Sequence, residues 1–322
     1  MPDRSPSHGA PGARVVLVTG ASSGIGRATA LQLAARGDVV ALLARAPGPL
    51  QQVAELCRSA GAAEATVHPV DIGDADAVEA AVADLQEAYG RIDAVVNSAG
   101  VVAYGRFEEV PRSIFEAVLR TNLLGSANVV RSVLPAMRAA DSGTIVLVGS
   151  LLGHIAVPTM SSYTVSKWAV RCLVHVLQLE QRDRKGVHVV TVEPGGVDTP
   201  IYLQAASYAG HIGRPPPPVV TPEKVAERIV AVLDHPTKRV SVGPANDLMR
   251  LGFTVLPGVY DRLVGPLFAV AGLERRSHEP AGTGNVLHPD PDLDRLRGEQ
   301  GSFVPAVIAG VRRELADRLR RR

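Results

Sequence analysis

This sequence of 322 residues contains only two cysteines and carries almost no net charge. The two cysteines, Cys57 and Cys172, lie far apart and show no metal-ligand spacing, so we expect free thiols in a reducing compartment and no metal site. Lysine and arginine together number 34 against 32 acidic residues, which leaves a formal net charge of +2. This balance gives no electrostatic basis for nucleic-acid binding.

A long uninterrupted apolar run is also missing. Residues 1–13 are polar, rich in proline and glycine, and lack the apolar stretch of a secretory signal, so they are predicted to form a disordered leader on a cytoplasmic protein. The longest apolar region, Leu248 to Leu273, is interrupted by two prolines and three charged residues. A transmembrane helix is therefore not expected.

Short apolar, β-branched runs alternate with longer alanine-rich stretches from Arg14 onward. Such runs suit strands that are covered on both faces, which favours a parallel sheet wound with right-handed crossovers. The sequence thus predicts an α/β fold with one doubly wound parallel sheet over residues 14–245, and ligands at the carboxyl ends of its strands. The seven predicted strands lie at 15–18, 39–44, 65–70, 94–97, 144–149, 188–194 and 239–242.

A glycine-rich loop follows the first predicted strand and opens the first helix. Gly20, Gly24 and Gly26 stand in the sequence Thr-Gly-Ala-Ser-Ser-Gly-Ile-Gly, which also includes Ile25. Glycine lets the backbone approach a pyrophosphate, and the helix N-terminus attracts the phosphate charge. A turn that serves packing alone is the alternative, but the position between strand and helix favours dinucleotide binding.

The end of the second predicted strand carries Ala44 and Arg45 rather than an acidic residue. An acid there would bind the adenosine ribose hydroxyls and favour NAD. Arg45 can instead pair with a 2′-phosphate, to which Ser22 and Ser23 could donate further hydrogen bonds. NADP(H) is therefore predicted to be preferred over NAD(H), and a surface arginine without function is the alternative.

Tyr163 and Lys167 form a Tyr-x-x-x-Lys pair at the start of a predicted helix, so both side chains lie on one face. A phenol is a poor acid or base at neutral pH, and a neighbouring ammonium is expected to lower its pKa by favouring the phenolate. The lysine could also hold a ribose. A solvated Tyr–Lys pair would be the default interpretation without the glycine loop.

Several further motifs, together with those above, resemble the short-chain dehydrogenase/reductase family over about residues 14–243. They are Asn97-Ser98-Ala99-Gly100, Asn122, Ser150 and Pro194-Gly195, in the family's order and at similar spacings. The resemblance implies a Rossmann fold in which Ser150 hydrogen-bonds the substrate oxygen and Asn122 holds a water in a proton relay through Lys167. It also implies that Asp71 and Ile72 meet the adenine, that Asn97, Ala99 and Gly100 line the cofactor channel, and that Pro194, Gly195, Val197 and Thr199 hold the nicotinamide carboxamide.

Each implied role has a structural alternative. Asn97 could cap the fourth strand, Asp71 could be a turn acid, and Asn122 could bond to backbone inside a helix. Pro194 and Gly195 could form only a strand-ending turn. Position 98 is serine where the family usually has asparagine, and the family's short Gly-Gly ending is replaced by about eighty further residues, which puts the usual tetramer in doubt.

These features predict an NADP(H)-dependent oxidoreductase that acts on a carbonyl or secondary alcohol. Apolar residues beside the motifs indicate a lipophilic substrate, although they could equally be ordinary core. A serine hydrolase is disfavoured because the residues around Ser150 read Gly-Ser-Leu-Leu-Gly rather than Gly-x-Ser-x-Gly. A non-enzymatic NADP-binding regulator or scaffold remains an alternative. The candidate pocket residues are Val101, Tyr104, Leu151, Leu152, Ile155, Tyr202 and Tyr208.

Residues 246–322 are predicted to form a mostly helical C-terminal extension. Residues 246–274 are too broken for an independent domain and are expected to cover the substrate cleft or a subunit interface. A basic amphipathic helix is predicted at 304–322. Its arginines near the C-terminal end are more commonly explained as solvated charges that complement the helix dipole, and peripheral membrane contact is the secondary explanation. The expected assembly is a homodimer or homotetramer.

Overall fold

Seven parallel strands form the large sheet of this protein, whose computed structural model describes residues 12–274 and 280–299. The strands are β1 (Val15–Thr19), β2 (Val39–Ala44), β3 (Glu64–Pro69), β4 (Ala94–Asn97), β5 (Gly143–Val148), β6 (Val187–Pro194) and β7 (Arg239–Val242). Their order across the sheet is β7-β6-β5-β4-β1-β2-β3, and all neighbours are parallel. The doubly wound α/β fold predicted from the sequence is confirmed.

Helices cover both faces of the sheet, because side chains along each strand alternate between the two sides. Val16 and Val18 of β1 pack with the helices Gly24–Ala34, Pro47–Ala60 and Pro222–Asp234, whereas Leu17 packs with those at Ala75–Tyr89, Ser126–Ala140 and Ser161–Glu180. Burial on both faces explains why the inner strands β1, β2 and β4 are almost entirely apolar, whereas the edge strands β3 and β7 include polar residues. The helices are α1 (Gly24–Ala34), α2 (Pro47–Ala60), α3 (Ala75–Tyr89), α4 (Arg112–Leu119), α5 (Ser126–Ala140), α6 (Ser161–Glu180), α7 (Pro222–Asp234), α8 (Asn246–Val255) and α9 (Pro257–Ala271).

A crevice opens at the carboxyl ends of β1 and β4, where the strand order reverses. Thr19, the last residue of β1, lies opposite Asn97, the last residue of β4. The loops that follow these two strands therefore start side by side. This register brings the glycine loop next to residues 98–100.

The residues after β7 pack against the carboxyl-end loops of the sheet. α8 and α9 lead to Leu273–Glu274, which pairs antiparallel with Ile212–Gly213. Residues 280–299 then run back to the glycine loop. Within the described ranges, no helix is both long and apolar enough to cross a membrane. Residues 1–11 of the predicted leader and the predicted helix at 304–322 lie outside the described residues.

Candidate active site

Three polar side chains meet where β5 and α6 approach each other. Ser150 follows β5, and Tyr163 and Lys167 lie one turn apart near the start of α6. The Tyr163 hydroxyl is hydrogen-bonded to Ser150. The Ser150 Oγ also accepts a hydrogen bond from the Leu152 backbone N–H at 3.1 Å. The structure thus brings together the serine, tyrosine and lysine that the sequence singled out.

Burial dominates the protonation of the two titratable groups. It raises the pKa of Tyr163 to about 12, although the hydrogen bond with Ser150 acts in the opposite direction. It lowers the pKa of Lys167 to about 8. The expected lowering of the Tyr163 pKa by Lys167 is not found, because Nζ donates to the Val148 carbonyl at 2.9 Å and lies over the Tyr163 ring, 5.6 Å from its centroid. The ammonium therefore contacts the ring face rather than the phenol oxygen.

Asn122 is buried in a turn of π-helix, Arg120–Gly125. Such turns are frequent at functional sites. The Asn122 side chain accepts from the Val101 N–H at 2.8 Å and donates to the Val101 carbonyl at 2.9 Å and to Ser166 at 3.0 Å. The backbone carbonyl of Asn122 accepts a hydrogen bond from the Ser126 hydroxyl at 2.6 Å. Asn122 thus fastens the loop after β4 to α6, beside Lys167.

Asn97 belongs to a buried hydrogen-bond network behind the cofactor crevice. The Thr19 hydroxyl donates to Asn97 Oδ1 at 2.7 Å, and Asn97 Nδ2 donates to Ser126 Oγ at 2.8 Å. The Ala99 N–H donates to the Thr19 hydroxyl at 3.2 Å. Satisfied buried networks of this kind hold loops in one arrangement. Sequence reasoning missed Thr19 and Ser126, because their roles become visible only once β1 and β4 are paired.

The glycine loop has the shape that a dinucleotide requires. The φ angles of Gly20 and Gly24 are +63° and +49°, in the left-handed region that favours glycine. A Cβ on Gly20 would lie 2.7 Å from Ala99 Cα, and one on Gly26 would lie 2.2 Å from the Gly20 oxygen. Ser23 at the N-cap of α1 makes no side-chain cap bond, so no side chain caps the helix end that would attract a phosphate. The residues present therefore fit a nicotinamide dinucleotide.

Most of the predicted cofactor residues line one cavity around this loop. Tyr163 and Gly195 line a second cavity instead. The predicted cofactor residues that are buried and line neither cavity are Gly26, Asn97, Lys167, Pro194 and Val197. Asp71 also accepts from the Gly73 N–H at 2.8 Å, so it is a turn acid as well as a lining residue. The predicted residues on the cavity are Gly20, Ser22, Ser23, Gly24, Ile25, Arg45, Asp71, Ile72, Ala99, Gly100 and Thr199.

Arg45 lies on the cofactor cavity, but its guanidinium has partners that the sequence did not reveal. It donates to the Asn285 carbonyl at 2.5 Å and to the Val286 carbonyl at 3.4 Å. Burial lowers the pKa of Arg45, and the nearby carboxylates of Asp71 and Asp294 act in the opposite direction. The interpretation of Arg45 as a 2′-phosphate ligand stays a prediction.

Residues 285–299, here called the strap, cross the entrance of the cofactor cavity. The Arg295 carbonyl accepts from the Gly24 N–H at 3.1 Å, directly at the start of α1. Arg297 forms an ion pair with Glu223 of α7, with 2.9 Å between Nη2 and Oε1. The strap is therefore attached both to the glycine loop and to a helix of the main sheet.

Asp294 of the strap reaches into the same cavity. Its carboxylate accepts from the Gln204 amide at 2.8 Å and is hydrogen-bonded to Ser22. Burial raises the pKa of Asp294 despite these bonds. With the strap in place the cavity has a volume of about 140 Å³. Ligand cavities usually measure about 300–1,000 Å³, so this site is small. Four residues of the strap form part of its wall, namely Asn285, Pro289, Asp290 and Asp294.

A second cavity, of about 390 Å³, lies beside Ser150 and Tyr163 and is mainly apolar. Its volume is within the range of small-molecule sites. Among the pocket residues expected from the sequence, Val101 lies on the cofactor cavity and Tyr208 on neither. The expected residues on the second cavity are Tyr104, Leu151, Leu152, Ile155 and Tyr202.

Much of the wall of this second cavity comes from segments that carry no motif. Residues 214–218 and the inner faces of α8 and α9 close it. Sequence reasoning missed them individually because loop residues show no periodic pattern that points to a distant cavity. The additional lining residues include Met160, Ile201, Arg214, Pro216, Asn246, Met249, Val264, Leu267 and Phe268.

Comparisons with known proteins agree with this geometry. A family model described as short chain dehydrogenase matches residues 14–207. A solved structure of a metagenomic short-chain oxidoreductase in complex with NADP is 30% identical, with a TM-score of 0.62, and the match covers 74% of this chain and 99% of that one. An uncharacterized NAD-dependent oxidoreductase of Mycobacterium tuberculosis is 34% identical over 242 residues, 67% of this chain and 88% of the relative. An uncharacterized oxidoreductase of Listeria monocytogenes is 29% identical over 241 residues, 72% of this chain and 97% of the relative.

The family match and the site geometry point in one direction. The matched region contains the glycine loop and the Ser150, Tyr163 and Lys167 cluster. It extends over more than half of the sequence. The chain therefore belongs to the short-chain dehydrogenase/reductase family, enzymes that oxidise CH–OH or reduce C=O groups with NAD(P).

Proposed function

We propose that this enzyme transfers a hydride between NADP(H) and the carbon of a carbonyl or secondary alcohol in a lipophilic substrate. The observation that carries the proposal is the hydrogen-bonded Ser150–Tyr163 pair on the wall of a mainly apolar cavity. Ile201 lines both this cavity and the cofactor cavity, so the two sites adjoin. A substrate oxygen beside Tyr163 would therefore lie close to the end of a bound dinucleotide.

The side chains of the site would manage the proton and the charge on the substrate oxygen. A bound nicotinamide supplies the hydride in reduction and accepts it in oxidation. In reduction, Tyr163 donates its proton to the substrate oxygen, and the Ser150 hydroxyl donates a hydrogen bond to the same atom. A pKa of about 12 keeps the proton on Tyr163 at neutral pH, which is the form that reduction needs.

Lys167 and Asn122 would restore the proton that Tyr163 gives away. The low pKa of Lys167, about 8, lets this amine change its charge near neutral pH. In the proposed relay, a water held at Asn122 connects Lys167 to solvent. Lys167 would also hold the cofactor ribose, and Pro194, Gly195, Val197 and Thr199 would hold the nicotinamide carboxamide.

The preference for NADP(H) over NAD(H) is part of the proposal. Arg45 stands on the cofactor cavity at the end of β2, and no acid occupies the neighbouring position, Ala44. Pairing with a 2′-phosphate would replace the two carbonyl partners of the guanidinium by a charged one. The NADP complex of the metagenomic relative supports this choice, and the Mycobacterium relative is named as NAD-dependent.

A non-enzymatic regulator is less favoured as a second candidate. A scaffold that only binds NADP would not need the Ser150–Tyr163 hydrogen bond or an apolar cavity beside it. The other partners in the proposal are a small carbonyl or alcohol substrate and a second copy of the chain. We propose a homodimer or homotetramer.

Substitution of Tyr163 by phenylalanine tests the function directly. With a panel of apolar ketones and aldehydes, we expect wild-type protein to oxidise NADPH and Tyr163→Phe to lower kcat by at least about 100-fold, the usual scale for losing a positioned acid. NADPH binding by fluorescence titration should change little. Tyr208→Phe is the matched control, because Tyr208 lines neither cavity. Equal turnover by the Tyr163 variant would refute the assignment.

A further inference from the structure

A buried arginine faces the substrate cavity, and its guanidinium has no partner among the described residues. Arg214 lines this cavity and is only 7% exposed. Its Nε atom is buried and has no hydrogen-bond partner. Among the described residues, no ion pair or side-chain hydrogen bond involves its guanidinium. This is unusual, because a buried charge is normally paired.

The described residues that line the cavity with Arg214 include no acidic side chain. A guanidinium keeps its positive charge in proteins. Among the described residues that line the cavity, Arg214 is the only charged one, and the wall is otherwise mainly apolar. Desolvating a cation that has no counter-charge is costly, so the arrangement favours a ligand that brings the missing negative charge.

The backbone holds Arg214 firmly at this position. Its N–H donates to the Gly272 carbonyl at 3.0 Å. The preceding residues, Ile212–Gly213, pair with Leu273–Glu274, and Pro215 to Pro218 follow directly. A strand pair on one side and four prolines on the other restrict the backbone. The side chain is therefore presented to the cavity by a rigid support, as a binding group requires.

We propose that Arg214 binds a carboxylate of the substrate, so that the enzyme acts on lipophilic oxo acids or hydroxy acids. This assignment rests on the oxidoreductase function proposed above. One guanidinium matches the single charge of a carboxylate and its two oxygens, whereas a phosphate monoester carries a charge of about −1.5 to −2. Tyr104 and Tyr202 also line the cavity, and burial raises the pKa of both phenols, so they remain neutral donors that suit an anion.

A binding experiment without turnover tests the anion site independently of the chemistry. The probes are straight-chain fatty acids of increasing length and the corresponding primary amides, titrated by calorimetry into full-length protein. We expect wild-type protein to bind the best acid at least about tenfold more tightly than its amide, the scale of hydrogen bonds to a charged group. Arg214→Met should abolish this ratio, and Arg214→Lys should retain part of it.

The matched control is Arg250→Met, which removes a positive charge on α8 that pairs with Asp247 and does not line the cavity. This variant should keep the acid preference. The ratio of acid affinity to amide affinity is measured on wild-type protein alone. The test therefore remains decisive even if the Arg214 variants fail to fold. Equal affinity for acid and amide, no binding of either series, or an unchanged ratio in Arg214→Met would overturn the proposal.

Kinetics with oxo acids and oxo amides of the same chains separates the two proposals. We expect kcat/KM with NADPH to be at least about tenfold higher for the acids in wild-type protein and nearly equal for both in Arg214→Met. Oxo amides reduced as well as oxo acids would overturn the role of Arg214 and leave the oxidoreductase function intact. Acid-selective binding without reduction of any oxo compound would instead count against the proposed function alone.

Discussion

The ammonium of Lys167 is buried beside the Tyr163 ring, and the cost of burying it lowers its pKa from 10.5 to about 8. A lysine whose pKa is lower in the folded state binds fewer protons there than in the unfolded chain. Part of the stability that the protein has above pH 10.5 is therefore lost as the pH falls from about 10.5 to about 8, and the loss is complete below pH 8. Lys167 thus costs stability at neutral pH, the usual price of a buried functional charge.

Removing this charge should stabilise the fold and abolish function. The pKa change corresponds to a gain of about 3 kcal/mol when the charge is removed. Loss of the hydrogen bond to the Val148 carbonyl offsets about 1 kcal/mol of this gain. We expect Lys167→Met to raise the free energy of unfolding at pH 7 by about 2 kcal/mol, measured by urea denaturation, while turnover is lost. The gain should shrink at pH 9.5, where the wild-type amine is neutral in the folded state.

Lys185→Met serves as the control because Lys185 is exposed on the surface. It should change stability little at either pH. A Lys167→Met protein that is less stable than wild type at pH 7 would mean that burial of the Lys167 charge does not lower the stability of the fold.

Arg45 decides the cofactor preference in our proposal. We expect Arg45→Ala to lower kcat/KM for NADPH by about tenfold or more and to change kcat/KM for NADH little, because only NADPH carries the 2′-phosphate. The measurement is steady-state kinetics with both cofactors. A wild-type preference for NADH, or a variant that keeps its full NADPH preference, would show that Arg45 serves only to bond the Asn285 and Val286 carbonyls.

At the scale of elements, the strap is the part of the molecule that limits access to the cofactor cavity. It is attached to α1 through the Gly24 N–H and to α7 through the ion pair of Arg297 with Glu223. An exposed ion pair contributes at most about 1 kcal/mol, and one hydrogen bond contributes a similar amount. Further hydrogen bonds hold the strap, from Gln204 to Asp294 and from the N–H groups of Gly298 and Glu299 to Asp198. Displacing the whole strap therefore breaks several contacts, whereas opening it at Gly24 breaks one backbone hydrogen bond.

Removing most of the strap should strengthen cofactor binding. We expect a chain that ends at Leu287 to bind NADPH about three- to tenfold more tightly, since no bond to the Arg295 carbonyl has to be broken. This truncation keeps the buried Val286 and both carbonyl partners of Arg45. A chain that ends at Glu299 is the control, because it retains the strap. An unchanged or weaker affinity in the shorter chain would mean that the strap clamps the cofactor instead.

On the scale of the whole molecule, the outer surface of α8 and α9 is strongly apolar. Their inner faces close the substrate cavity, as Met249, Val264 and Phe268 show. The outer side chains are at least half exposed, and exposed apolar patches of this kind mark interaction sites. These side chains are Leu248, Leu251, Val255, Leu256, Val259 and Leu263.

The charges on these two helices favour a second copy of the chain as the partner. Asp247 and Asp261 balance Arg250 and Arg262, so residues 246–271 carry no net charge. A surface that binds anionic lipid would be expected to be basic. A balanced set of charges around an apolar surface can instead pair with itself across a two-fold axis.

Two charged substitutions on this surface should break the assembly. We expect wild-type protein to sediment as a dimer or tetramer and Leu251→Glu with Leu263→Glu to shift it to a smaller species, because two copies would bury like charges. Substrate KM should change little, since neither residue lines the cavity. Leu56→Glu on α2 is the control. An unchanged mass would exclude this interface, and salt-sensitive vesicle binding by wild-type protein would favour a membrane instead.

The sequence alone determined the sheet and the motif cluster. Strands covered on both faces must be continuously apolar, so their positions could be read to within one or two residues. The spacing of Tyr163 and Lys167 on one helix is a local property, and Ser150 at a strand end is placed by the parallel sheet. These positions could be predicted because they depend on local helix and strand geometry alone.

Only the tertiary structure decided what surrounds those residues. The bonds of Arg45 to Asn285 and Val286 join positions about 240 residues apart in sequence. The approach of Arg214 and α9 to the Tyr163 cavity likewise depends on how loops and the C-terminal residues pack back on the sheet. Loop residues have no periodicity that encodes a distant partner, because their contacts are selected by the packing of the whole chain.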